Sequence, residues 1–331
     1  MGRMRAVVIT HPGGPEVLEI LERPRPALAS DEILVRVRAA GLNRADLLQR
    51  RGRYPAPAGW PADIPGLEYA GEVEATGPAV SRWRPGDRVM GLVGGGACAE
   101  FLAVNEAEAL PVPRSLTFAD AAAIPESFLT AFDALVVRGR VAAGDRVLVH
   151  AVGSGLGTAA VQVARALGAT VIGTSRTPSK LDRARELGLE QGIDSSRGTF
   201  AGEITEPVTV VLDVIGAPAW AENLRALAPR GRLVLLGFLG ASRGELDLEP
   251  VLRKRIEVIG SVMRPRGLEE RMPLVARAER EMLPHFESGR LRPIVARTLP
   301  MEHVADAHRA MEENDVFGKI VLEWGATPPA P

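Results

Sequence analysis

The chain has 331 residues, of which 46% are apolar and 24% charged, and its formal net charge is −1. That balance supports a large buried core and excludes both a disordered chain and a basic nucleic-acid-binding surface. A single cysteine, Cys98, excludes an intrachain disulfide and fits a reducing compartment, and no apolar run reaches the roughly 18 residues of a membrane span.

The opening MGRMRAVVIT enters a strand pattern directly, without a long apolar leader, so a cytoplasmic protein is expected. Residues 1–126 read as β-rich, with strands predicted at 5–10, 17–22, 32–40, 68–76, 88–90 and 99–104. Pro85–Asp87 and Gly94–Gly96 punctuate them. From 127 to 264 helix and strand patterns alternate, which predicts a parallel sheet covered by helices. The remaining stretch, 265–331, holds a helix at 268–287, a short strand near 293–298, a helix at 303–313 and a last strand at 319–324. We expect it to pack back on the first domain and leave a substrate cleft between the two domains. The Pro-rich end, 326–331, is expected to fray.

The densest signal is the stretch DRVLVHAVGSGLGTAAVQVARALGATVIGTSR, beginning at Asp145. An apolar run ends in a glycine cluster at Gly153, Gly155 and Gly157, a helix pattern follows to Leu167, and a second apolar run closes at Thr174. Strand, glycine turn, helix and strand form the unit that places a pyrophosphate on a helix N-terminus, here through Ser154, Gly155, Leu156 and Gly157. The same cluster could serve as a plain turn, but the two flanking strand patterns favour a dinucleotide. An NAD site carries a carboxylate at the end of the second strand to hold the ribose 2′-hydroxyl. This strand ends instead in Thr174, Ser175 and Arg176, with Lys180 following and no carboxylate before Asp182. Cations and hydroxyls suit a 2′-phosphate, so NADPH is the expected cofactor.

Several stretches carry a resemblance that runs nearly end to end: AAGLNRADLLQRRGRYP (39–55), IPGLEYAGEVEATG (64–77), GGGACAEFLAV (94–104), AAAIPESFLTAFDAL (121–135), VHAVGSGLGTAAVQVARALGA (149–169) and FGKIVLE (317–323). The chain resembles the medium-chain dehydrogenase/reductase superfamily, and within it the zinc-independent quinone oxidoreductases of the zeta-crystallin type. The resemblance implies an α/β protein: a Rossmann parallel-sheet domain plus a chaperonin-10-like (GroES-like) irregular β-barrel domain. It also implies a homodimer joined through edge strands of the nucleotide-binding sheets, here 257–263.

Zinc-dependent relatives use Cys and His ligands. Asn43 stands where they place the first Cys, Leu67 where they place a His, and the five histidines are scattered, so no metal is expected. Without one, hydride transfer relies on positioning and on donors to the developing oxyanion. The resemblance puts Asn43 and Tyr54 in the substrate cleft as candidate donors, against the plainer roles of turn stabilisation and packing. Asp46 fits a helix or turn cap better than an acid. Thr130 is expected near the nicotinamide carboxamide, with back-bonding in its helix as the alternative. Phe238 and Gly240, after a strand, would present backbone to the same group, and Lys319 would close over the cofactor or sit on the surface. Some relatives carry a second tyrosine where Leu48 stands, which implies a more apolar pocket here, and many carry one near the adenosine phosphate where Ser195 stands, which leaves more of the 2′-phosphate recognition to Arg176 and Lys180.

Three functions compete. The first is an NADPH-dependent quinone reductase. The second is a reductase of activated C=C bonds in enals, enones or enoyl thioesters, for which Arg50, Arg51 and Arg53 would offer a cationic approach to a CoA-type substrate. The third is a crystallin-like structural or RNA-binding protein that holds NADPH, which the near-zero charge disfavours.

Overall fold

A computed structural model describes residues 2–325, and the Pro-rich end lies outside the described residues. The chain forms two compact units, one from residues up to Glu126 together with those from Arg264 onward, the other Ser127–Met263.

In the first unit, β1 (Arg3–Ile9) and β2 (Leu18–Pro24) pair as an antiparallel hairpin. Then follow β3 (Glu32–Gly41), α1 (Arg44–Arg50), β4 (Glu68–Thr76), β5 (Arg88–Leu92), β6 (Phe101–Asn105), β7 (Ala109–Pro111) and α2 (Phe118–Ala122). Helix α3 (Pro125–Phe132) carries the chain into the second unit and continues as a π-helical turn over Asp133–Arg138.

The second unit runs β8 (Arg146–Val149), α4 (Gly155–Ala166), β9 (Thr170–Ser175), α5 (Pro178–Arg185), β10 (Gln191–Asp194), β11 (Val208–Asp213), α6 (Trp220–Ala226), β12 (Leu227–Leu235), α7 (Glu249–Lys254) and β13 (Glu257–Gly260). Its six strands are all parallel, in the order β10-β9-β8-β11-β12-β13. Counted within the unit this is 3-2-1-4-5-6, the Rossmann order, with the reversal between β8 and β11. Leu148, Val211 and Leu233 are fully buried in the three central strands. Helices cover both faces of such a sheet, which is why these strands read as apolar runs and not as alternating patterns.

The chain then returns to the first unit with α8 (Leu268–Glu287), β14 (Val295–Pro300), α9 (Val304–Glu312) and β15 (Lys319–Glu323). Strand β15 pairs with β3, placing Val321 against Gly41 and Glu323 against Ala39. The sheet order is β14-β15-β3-β4-β5-β7, with β6 also on β3. Val304, Ala307, Ile320 and Leu322 of the return segment share one core with Val35, Val37, Leu47 and Tyr69.

A buried arginine locks α1 to α9 inside this unit. Arg50, 0% exposed, donates to Gly13 O and His308 Nδ1, each at 3.1 Å, and pairs with Glu312. A guanidinium only donates, so Nδ1 accepts and the imidazole is neutral with its proton on Nε2. Burial, and then the Arg50 charge, push His308 down to about 3. The unfolded chain takes up a proton near pH ~6.5 that the folded chain refuses, so stability falls as the pH drops below that value. We predict that His308 contributes up to about 1.4 kcal/mol per pH unit of acid destabilisation over that window. His308→Gln, which keeps an acceptor for Arg50, should flatten the slope in urea unfolding across a pH series; an unchanged slope refutes this.

Candidate active site

In the second unit the glycine turn lies after β8, at the strand-order reversal. Ser154 caps α4, its Oγ accepting the Gly157 N–H at 2.9 Å. The helix therefore starts three residues before its apolar pattern, and its Gly155 and Leu156 N–H groups have no intrahelical acceptor. Gly157 is required sterically, since a Cβ there would fall 2.3 Å from Ala151 O. Ala151 itself adopts φ 53, a strained conformation held inside the turn. The Lys180 stem crosses the turn: a Cβ on Gly153 would lie 2.6 Å from its Cδ.

At the end of β9, Arg176 is exposed and no carboxylate stands beside it in the chain before Asp182. Ser175 departs from expectation. Its hydroxyl accepts the Thr177 N–H at 3.0 Å and donates to Thr177 O at 3.1 Å, closing a turn, so its proton is not available to a phosphate. The buried Thr130 hydroxyl has no hydrogen-bond partner among the described residues, and it does not bond back along α3. An orphaned buried hydroxyl is costly unless a ligand meets it. Phe238 is 57% exposed, and the Gly240 N–H is spent on Ile215 O at 3.0 Å. Gly240 therefore cannot donate to a carboxamide.

A buried polar chain underlies these loops. Thr174 Oγ1 meets His150 Nδ1 at 2.8 Å, His150 Nε2 meets Asn223 Oδ1 at 2.7 Å, and Asn223 Nδ2 donates to Asp213 Oδ2 at 3.1 Å. Asp213 Oδ1 in turn accepts the Ile215 and Gly216 N–H groups. The Asn223 amide fixes the tautomer: its oxygen faces His150, so Nε2 carries the proton and Nδ1 accepts from Thr174. Burial pushes His150 down and Asp213 up. His150, just after β8, thus ties β9, α6 and β11 together.

The first unit holds the acceptor-side candidates, and here the sequence reading needs correction. Asn43 caps α1, its backbone N–H donating to Asp46 Oδ2 at 2.8 Å, and Asp46 Oδ1 accepts Gly66 N–H at 2.9 Å. Asp46 is thus a cap, and burial pushes its carboxyl up to about 6. The Asn43 amide is fully engaged: Nδ2 donates to Glu68 Oε1 at 3.0 Å and Gly41 O at 3.2 Å, while Oδ1 accepts from Lys319. Lys319 can only donate, so no flipped amide satisfies the cluster, and Asn43 is a scaffold residue and not a substrate donor.

Lys319 is neither on the surface nor free to close over a cofactor. It is 4% exposed and paired with the wholly buried Glu68. Glu68 Oε2 accepts the Glu126 N–H at 2.7 Å. Gly318 makes the lysine's approach possible, since at φ +94 a Cβ would fall 2.2 Å from Ile294 O. Glu68 is one of three glutamates in β4, and the sequence alone did not mark it as the one that is wholly buried.

Tyr54 is half-buried on the loop after α1. Above its ring, 5.0 Å from the centroid, lies the guanidinium of Arg264, a residue the sequence reading passed over. The proposed cationic approach is mostly absent, since Arg50 is buried and Arg51 pairs with Glu312 at 2.7 Å. Cys98 is a small buried residue, with burial pushing its thiol up. Among the described residues no three His, Cys, Asp or Glu side chains converge to hold a metal, and no helix is long and apolar enough to cross a membrane.

Comparison with known proteins places both units. Residues 29–114 match the alcohol dehydrogenase GroES-like domain, and residues 155–278 match the zinc-binding dehydrogenase domain. Quinone oxidoreductase-like protein 2 of Bos taurus is 31% identical over 96% of this chain and 92% of its own length. A solved NAD-dependent alcohol dehydrogenase is 34% identical, with TM-score 0.87 over 97% of this chain and 100% of that one. The CurK enoyl reductase is 27% identical, with TM-score 0.86 over 98% of this chain and 99% of that one.

Removing one partner of a buried ion pair strands the other charge. Lys319→Met should therefore lower the unfolding free energy by about 3–5 kcal/mol, and adding Glu68→Gln should recover part of it. Equal stability of Lys319→Met and the parent in denaturant titration would refute the buried pair.

Proposed function

The chain belongs to the medium-chain dehydrogenase/reductase superfamily, and we propose that within it the chain transfers hydride from NADPH to a quinone without a metal. It is an oxidoreductase of the superfamily's two-domain type, whose cofactor is a nicotinamide dinucleotide. The observation that carries the proposal is the glycine turn at the strand-order reversal, with Arg176 exposed at the end of β9.

The second unit's residues fit such a cofactor. The Gly155 and Leu156 N–H groups suit a pyrophosphate, Arg176 and Lys180 suit a 2′-phosphate, and the orphaned Thr130 hydroxyl suits a carboxamide. When bound, reduced nicotinamide supplies a hydride, and the acceptor oxygen becomes an anion that takes its proton from solvent. Tyr54 then serves as the donor that stabilises this oxyanion.

The residues do not fit zinc. Asn43 and Leu67 supply no soft ligand, and the nearby Glu68 carboxylate is saturated by Lys319, Asn43 and the Glu126 N–H. A reduced, cytoplasmic setting agrees with the single thiol of Cys98. We further propose a homodimer through β13, an edge strand of the six-stranded sheet. Val258, Leu252 and Leu248 at or before this edge are 41%, 80% and 64% exposed, an apolar surface that a second copy would bury.

A second reading, reduction of a conjugated C=C bond, is favoured by the likeness to CurK. Against CoA thioesters stands the loss of Arg50 and Arg51 to internal pairing. A crystallin-like structural role gains no support from the relatives.

Following NADPH absorbance with an ortho-quinone, a para-quinone, an enone and an enoyl-CoA should give turnover with the quinones; turnover of the enone or thioester alone removes the quinone reading. Arg176→Ala should weaken NADPH at least about tenfold more than NADH, since a guanidinium–phosphate pair contributes roughly 1.5–3 kcal/mol. Equal losses for the two coenzymes defeat the NADPH assignment.

A further inference from the structure

We propose that Arg264 is a positioning residue that holds the Tyr54 phenol in place as donor to the acceptor oxyanion. The proposal rests on the role given to Tyr54 above and names the residue on which that role depends.

Arg264 is the first residue of the return segment and is 5% exposed. Its Nε donates to Gly94 O at 2.8 Å, its Nη1 to Tyr54 O at 3.0 Å and its Nη2 to Gln49 Oε1 at 2.5 Å. Three segments are thereby joined: α1, the loop that follows it, and the turn after β5. Gln49 extends the grip, since its Nε2 donates to Ala62 O at 3.0 Å near the far end of the same loop. A second arginine acts on that loop from the same return segment. Arg271 lies 5.7 Å from the Trp60 ring centroid and is held by buried Glu108 at 2.8 Å.

The two arginines differ in charge balance. Arg271 is neutralised by its carboxylate. Arg264 meets only amide-type oxygens and a ring face; among the described residues no carboxylate pairs with it. The buried Asp46 carboxylate favours the Arg264 charge only from beyond ion-pair distance, so the cost of burying this cation is incompletely offset. Packing alone does not require that cost, because an uncharged side chain would fill the space more cheaply. What the charge adds is a fixed positive potential beside the phenol. It favours negative charge on the phenol oxygen, opposing the effect of burial, and so makes the O–H a stronger donor. The planar fork fixes the ring as well: two of its donors grip the Tyr54 backbone and Gln49 while its Cζ lies over the ring. Lysine cannot reproduce this geometry.

Three variants of the full chain, Tyr54→Phe, Arg264→Lys and their double, test the proposal with an ortho-quinone as acceptor. Arg264→Lys should lower kcat about tenfold with the KM for NADPH nearly unchanged, and should cost less than about twofold when added to Tyr54→Phe. An undiminished loss in the Tyr54→Phe background overturns the Arg264 proposal alone. A parental rate for Tyr54→Phe removes the role of Tyr54 and this proposal with it. A readout independent of turnover is available, because the only other tyrosine, Tyr69, is fully buried with its phenol pushed far up. The ultraviolet phenolate titration, taken as the difference from Tyr54→Phe, reports Tyr54. Arg264→Met should raise its midpoint; an unmoved midpoint overturns the proposal. Should substitution at 264 prevent folding, Gln49→Ala removes one acceptor of the fork and enters the same cycle with the same outcomes.

Discussion

Burying a charge or an amide requires a complete set of partners, and each unit is organised around one such set. In the first unit Lys319, Glu68 and Asn43 satisfy one another where β15, β4 and the start of α1 meet. In the second, Thr174, His150, Asn223 and Asp213 form a chain across the C-terminal ends of β9, β8 and β11. Each set also anchors backbone: Glu68 accepts the Glu126 N–H in the first turn of α3, and Asp213 accepts the Ile215 and Gly216 N–H groups after β11. The polar groups of both sets are satisfied within the protein and are not spare for a substrate.

This arrangement explains which expectations failed. Asn43, Ser175 and Lys319 were assigned to ligands for bearing suitable polar groups, and each group is consumed within its own unit. A polar side chain near a site is as often part of the frame as of the chemistry, and what separates the two is the count of its unfilled hydrogen-bonding positions. By that count Thr130 and Arg176 remain candidates in the second unit, while Tyr54 remains in the first.

What was legible in the sequence was local. The 68–76 strand and the 268–287 helix have the limits that their patterns gave. The glycine turn was recognisable because all its parts lie within about thirty residues of chain, the span of one βαβ unit. Elements with little pattern were missed: β10 has four residues, one of them Gly192, and the seven-residue α1 is scarcely two turns. The frame was illegible for another reason. Lys319 meets a side chain 276 positions away, and Arg264 meets partners 170 to 215 positions away. Periodicity carries no information across such distances; only the pairing of β15 with β3 brings Lys319 to Asn43.

The choice of cation follows from the layout of its acceptors. Lys180, Lys254 and Lys319 are the only lysines, against a total of 40 cationic residues. Where a charge must bridge separate segments the chain uses arginine: Arg50 reaches Gly13, His308 and Glu312, and Arg264 reaches Gly94, Tyr54 and Gln49. The fork has five donors in a plane and spans such acceptors without folding back on itself. Where the acceptors crowd around one point, lysine stands instead. Lys254 Nζ donates to Leu224 O and Leu227 O, each at 2.7 Å, at the end of α6, and Lys319 Nζ sits between Glu68 and Asn43. Gly41 leaves room for the Glu68 carboxylate, since a Cβ there would lie 2.3 Å from Glu68 Oε1 and 2.5 Å from Ala122 O. A compact ammonium suits two acceptors that close on one point, as Glu68 and Asn43 do around Lys319.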